Sequence, residues 1–135
     1  MFTCAVTLPL GMVTVHKDIG YVIVGGWGLF FLWGLVSFLI KREPNRWFWG
    51  LLAGLQAILI VQLGVGLTLL ALGHHLPSAL HFFYGSVFPG IVLVIAHVVA
   101  RGLEEKSDAW KVFAVAGFFL FGLTLRALTT GLGLP

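Results

Sequence analysis

Three stretches of the chain carry no Asp, Glu, Lys or Arg, and each is closed off by charges, proline or glycine. Ile19 to Ile40 stops at Lys41-Arg42-Glu43-Pro44. Trp47 to Gly73 opens on the aromatic trio Trp47-Phe48-Trp49 and ends at Gly73-His74-His75-Leu76-Pro77. Leu80 to Ala100 follows Ser78, which suits a helix N-cap. Crossing a hydrocarbon core of about 30 Å takes roughly 20 mostly apolar residues in a helix, and each stretch is long enough. The fourth run, Val112 to Leu125 between Lys111 and Arg126, is too short unless the helix carries Arg126 with it, so the pattern predicts a span over 110–130. The four helices are expected at about 16–40, 47–73, 78–100 and 110–130.

Composition strengthens this reading. The 135 residues are 59% apolar and 10% charged, with mean hydropathy +1.05, against about 25% charged in ordinary soluble domains. Soluble-enzyme and nucleic-acid readings fall together. The net charge of +3 is a topology signal, because Lys41, Arg42 and Arg46 sit in the first loop and Arg101, Lys106 and Lys111 in the third. The second loop has no Lys or Arg, so both termini are expected outside. Met1 to Val15 lacks a basic start and a polar cleavage region and reads as an interfacial lead-in to the first helix. Short connections then predict an all-α, up-down-up-down four-helix bundle in the lipid bilayer, with a prokaryotic cytoplasmic membrane as its expected location. Gly50-Leu51-Leu52-Ala53-Gly54 is a GxxxG motif of the kind that lets membrane helices approach closely.

Polar side chains are costly inside a bilayer, so their depth is informative. With helices one and three running inward, His16 and His81 both start near the outer surface. At 1.5 Å per residue, Gln62 lies about 22 Å above Trp47 and Arg126 about 24 Å above Trp110. Each helix therefore brings one polar group to a similar outer level, while His97 lies about 24 Å below His81. His16 and His81 are each followed four residues later by a glycine, Gly20 and Gly85, on the same helix face. Bare backbone there would let a flat ligand such as a porphyrin lie against the helix under an axial imidazole. Helices one and three are expected to face each other across the core, allowing both imidazoles to reach one iron. Pro89 is expected to bend helix three at Gly85, and Lys17 and Arg126 are candidates to hold anionic substituents such as propionates.

Blander roles compete. Gln62 can simply bond between helices, His16 and His81 can be interfacial or capping residues, and His74 and His75 read as solvated loop residues. His81, Tyr84 and Arg126 could instead surround a quinone head group. The lone Cys4 excludes an internal disulfide and a CxxC motif. Asp18, Glu43, Glu104, Glu105 and Asp108 all fall at loops or ends, so no mid-membrane carboxylate offers a proton path.

The elements His16-Lys17-x-x-Gly20, then Gln56 or Gln62-Leu63-Gly64-Val65-Gly66, and Ala79-Leu80-His81 resemble, in that order, one half of the haem A synthase family, over about His16 to Thr130. That family is built from two four-helix haem-type bundles, and small cytochrome b561-like bundles are similar. Two departures set limits: Val13 stands where the family's catalytic half carries glutamate, three residues before the first histidine, and no second bundle is present. The resemblance therefore implies a b-type haem held by His16 and His81 rather than oxidation of a haem methyl group. Two imidazoles on one iron leave no open coordination position, which favours electron transfer over oxygen chemistry. Partners implied are other membrane subunits of a redox complex; a cofactor-free accessory subunit of such a complex is the alternative.

Overall fold

The computed structural model describes the backbone from residue 2 and side chains from residue 11. All four expected helices are present, and within the described residues each is long and apolar enough to cross a membrane. Helix α1 covers Phe2–Leu39, α2 Arg46–Ala71, α3 Ala79–Gly102 and α4 Ala109–Gly131. The last three agree with the expected spans to within about two residues, which is the uncertainty of helix ends in general. Helix α1 begins well before His16, running through Phe2 without a break. The expected lead-in over 1–15 lies mostly outside the residues whose side chains are described.

Local chemistry explains the boundaries. Asn45 caps α2 by accepting a hydrogen bond from the Trp47 amide at 3.0 Å, and Ser78 caps α3 by accepting from the His81 amide at 3.2 Å. Both satisfy donors that have no partner inside the helix. At the end of α2, Gly73 takes φ +92°, and the His74 amide donates back to the Leu69 carbonyl at 3.1 Å. This is the left-handed helix stop that glycine favours. Lys41 fills the equivalent place after α1 at φ 56°, with the Arg42 amide donating to Ser37 at 3.0 Å. Asp108 pairs with Lys111 at 2.8 Å across the first turn of α4.

Helix α1 packs along α2 and, over a longer contact, α4; α3 packs on α4. Among the described residues no comparable packing joins α2 to α3, so the contacts run in the order α2, α1, α4, α3. The core fills the end nearer the first and third loops. Ile23, Trp27 and Phe30 of α1 meet Phe48, Leu52 and Leu55 of α2, Trp110, Phe113 and Leu120 of α4, and Ala96 and Ala100 of α3. Trp27, Phe30 and Phe48 are wholly buried. The Phe30 and Phe48 rings stack with centroids 4.3 Å apart, and the Trp27 ring stands edge-on to Phe30 at 5.7 Å.

Glycine permits this density at particular points. A Cβ on Gly34 would collide with the Ala114 methyl, and one on Gly117 would lie 2.7 Å from the Phe30 ring. These bring α1 and α4 together. The GxxxG pair behaves differently from expectation: nothing lies within 4 Å of a Cβ on Gly50 or Gly54, so that face of α2 points outward. The outer faces are as apolar as the core, with Leu29, Ile60, Val94 and Phe118 all more than half exposed.

Candidate functional site

At the opposite end of the bundle the packing opens into a cavity of about 330 Å³, lined by residues of all four helices and by the α2–α3 loop. That is near the small end of the roughly 300–1,000 Å³ range of ligand pockets. His16 of α1 and His81 of α3 meet there, with ring centroids 5.9 Å apart and ring planes at 75°. Two metal–imidazole bonds of about 2 Å each span about 4 Å between the coordinating nitrogens, and the rings' own size adds to the distance between centroids. A 5.9 Å separation is thus one that a single metal centre can bridge. Near-perpendicular ring planes are no obstacle, because each ring need only contain its own metal–nitrogen axis.

Each imidazole has a defined set of neighbours. His81 Nδ1 lies 2.8 Å from the Ala127 carbonyl of α4. When Nδ1 carries the proton and donates it there, Nε2 is left with its lone pair for a metal, the usual second-sphere arrangement of a ligating histidine. Its amide is held by the Ser78 cap, so backbone and ring are both fixed. His16 is tied through its backbone: Gln62 Nε2 donates to the His16 carbonyl at 2.6 Å, joining α2 to α1. Among the described residues, His16 Nδ1 and Gln62 Oε1 are buried with no hydrogen-bond partner. Leaving such a group unpaired costs about 1–3 kcal/mol. The residues present therefore fit a group that takes a lone pair from each imidazole and lies against a largely apolar wall.

Not all of the expected residues converge. His16, Lys17, Gly20, Gln62, His81 and Gly85 all line the cavity, whereas Arg126 and Tyr84 do not. Helix α4 turns Thr124, Ala127 and Gly131 inward, a spacing of three and four residues that leaves Arg126 on a different face. Its guanidinium donates to the Pro135 carbonyl at 2.6 Å. Tyr84 instead packs edge-on against Phe88 at 5.4 Å. His74 and His75, read from the sequence as solvated loop residues, stand on the cavity wall.

The glycines nearest the imidazoles are also not the expected ones. A Cβ on Gly20 would meet Gln62 and Leu128 at ordinary distances, and one on Gly85 only the Ala127 methyl at 3.6 Å. A Cβ on Gly66 of α2 would lie 3.1 Å from His16 Cε1, and one on Gly131 of α4 only 2.8 Å from His81 Cε1. Each ring is backed by a glycine on a neighbouring helix. Spacing along one helix reports only that helix, so the signal that could have found Gly66 and Gly131 is inter-helix register.

Among the described residues no group of three or more His, Cys, Asp or Glu side chains is arranged to hold a metal ion, so any metal chemistry here rests on the histidine pair. No known protein family, curated protein or solved structure matches the chain.

Proposed function

We propose that the chain is an integral membrane protein, its helices crossing in alternating directions with both termini outside, that holds a b-type haem between His16 and His81 and passes electrons. The observation that carries this reading is the histidine pair, brought from α1 and α3 to 5.9 Å across a cavity. Four apolar spans and the largely apolar outer faces support the bilayer setting, since soluble monomers rarely expose large contiguous apolar patches. Bound there, haem would supply a reversible one-electron couple. His16 and His81 would be the ligands. The Ala127 carbonyl would fix the orientation of His81, and the apolar wall from Ile23, Leu59 and Leu128 would exclude water. Lys17 at the cavity rim would face the anionic edge of the ligand. In this reading a larger respiratory assembly would supply the electron donor and acceptor.

The test is spectroscopic. Detergent-purified protein from haem-replete cells should give a reduced-minus-oxidised haem b spectrum, and His16→Ala and His81→Ala should each abolish it without loss of folded protein. A colourless wild-type preparation would remove the proposal.

A cofactor-free accessory subunit is the second reading, favoured by one observation. The Gln62 bond to the His16 carbonyl and the His81 bond to the Ala127 carbonyl tie helices together with no ligand present. It expects both histidine variants to be indistinguishable from wild type in colour and to keep copurifying with the same partners.

A further inference from the structure

Helix α3 is not a uniform α-helix. Residues Phe83–Val87 form a π-helical turn, in which the Phe88 amide donates back five residues to the Phe83 carbonyl. Such turns insert one extra residue into an α-helix. Pro89 stands just after it. Proline has no amide hydrogen, and its ring would clash with the carbonyl four residues back, that of Gly85, in a regular α-helix. Ser86 Oγ donates to the Phe82 carbonyl at 2.6 Å, adding a partner inside the loosened turn.

The extra residue changes which side chain faces the bundle. Below the turn, the inward face is marked by the buried residues Pro89, Ala96 and Ala100. At about 100° per residue in an unbroken α-helix, Phe82, seven residues before Pro89, would share that face to within about 20°, and His81 would sit about 80° away from it. One inserted residue moves His81 into the place of Phe82. In the structure His81 bonds to α4 through Ala127, while Phe82 stands at the edge of the cavity, 36% exposed.

We propose that Pro89, through the π-helical turn that it enforces, is a positioning residue that aims His81 at His16. The purpose assigned to the device rests on the two-histidine reading of the cavity, but its geometry does not depend on what occupies the space between the rings.

The experiment reads that geometry without any cofactor. In a Cys4→Ser background, the His16→Cys/His81→Cys pair is treated with a short bis-maleimide in detergent, and the internal bridge is measured by mass spectrometry. The parent pair should bridge readily. Adding Pro89→Ala should let α3 regularise, rotate position 81 away and slow bridging several-fold. Adding a deletion of Phe83 to that variant should restore it, because removing one residue yields an unbroken α-helix with position 81 back in register. Failure of the parent to bridge, bridging unaffected by Pro89→Ala, or a loss that the deletion does not restore would each overturn the inference. A colourless wild-type protein whose cysteine pair still follows this pattern would refute haem binding and leave the positioning role of Pro89 standing.

Discussion

The two ends of this bundle are built from the same four helices and similar residues, yet one is solid and the other hollow. At the solid end, large rings are set against small residues: Phe30 lies against Gly117, and Phe48 reaches Gly34, which also abuts Ala114. Ring-against-glycine packing leaves no room, and Trp27, Phe30 and Phe48 are wholly buried. At the hollow end, glycines again face rings, Gly66 to His16 and Gly131 to His81, but a cavity of about 330 Å³ remains beside them. The difference lies in what surrounds the ring. Phe30 is gripped by Trp27 and Phe48, whereas both imidazoles border the cavity. A glycine at the first end protects the fold; a glycine at the second protects an orientation.

The largest break in this contrast is expected from Phe48→Ala. Removing a wholly buried ring that contacts Phe30, Trp33 and Trp49 should cost about 3–5 kcal/mol, the usual range for a buried phenylalanine. Denaturant unfolding in detergent measures it. A loss below that of an ordinary surface change would mean that the solid end does not hold the bundle together.

A matched pair of glycine substitutions sharpens the comparison. Gly117→Ala places a methyl 2.7 Å from the Phe30 ring, which cannot retreat, and should destabilise by about 1–3 kcal/mol. Gly131→Ala places one 2.8 Å from His81 Cε1, which can swing into the cavity. Relief of glycine's entropy cost in a helix is worth about 0.5–1 kcal/mol, which offsets the roughly 0.5–1.5 kcal/mol of the His81 Nδ1–Ala127 bond that the swing breaks, so Gly131→Ala should be near neutral in stability. Thermal unfolding and the haem spectrum are to be read together: the first variant should lose stability and the second the ligand signal. Equal losses of stability would show that the two ends do not differ in kind.

Much of the architecture was legible because charge is so sparse. Each uncharged run names a helix, and the shortfall between Lys111 and Arg126 correctly requires that α4 carry the arginine. The common level of His16, Gln62 and His81 was also legible, since the rise per residue converts spacing into depth. Direction around a helix was not. Arg126 and Tyr84 share the right level but face elsewhere, and the glycines that back the imidazoles come from other helices. Both depend on how neighbouring helices are rotated against each other, which no single helix's periodicity contains. The π-helical turn adds a second reason: Pro89 signals a disturbance in α3, but whether it kinks the helix or widens a turn decides which residue faces inward. His74 and His75 read as solvated for a related cause, as loop position fixes sequence distance from the helices and not proximity to the cavity.

The smallest expected effect belongs to Gln62→Leu, and two opposing terms make it small. The variant loses the 2.6 Å bond from α2 to the His16 carbonyl. Hydrogen bonds between membrane helices average about 0.6 kcal/mol and reach about 1.7. The same substitution also removes Gln62 Oε1, which is buried without a partner among the described residues, and replaces the amide with an apolar group of similar size. Partial cancellation predicts a net loss of under about 1 kcal/mol, with the histidine pair and its spectrum retained, because the ring of His81 is held by α4 and the ring of His16 packs against Gly66 of α2. If Gln62→Leu instead removed the haem signal while unfolding stayed unchanged, the amide would have to act on the ligand itself, and its role as a tie between helices would be the wrong assignment.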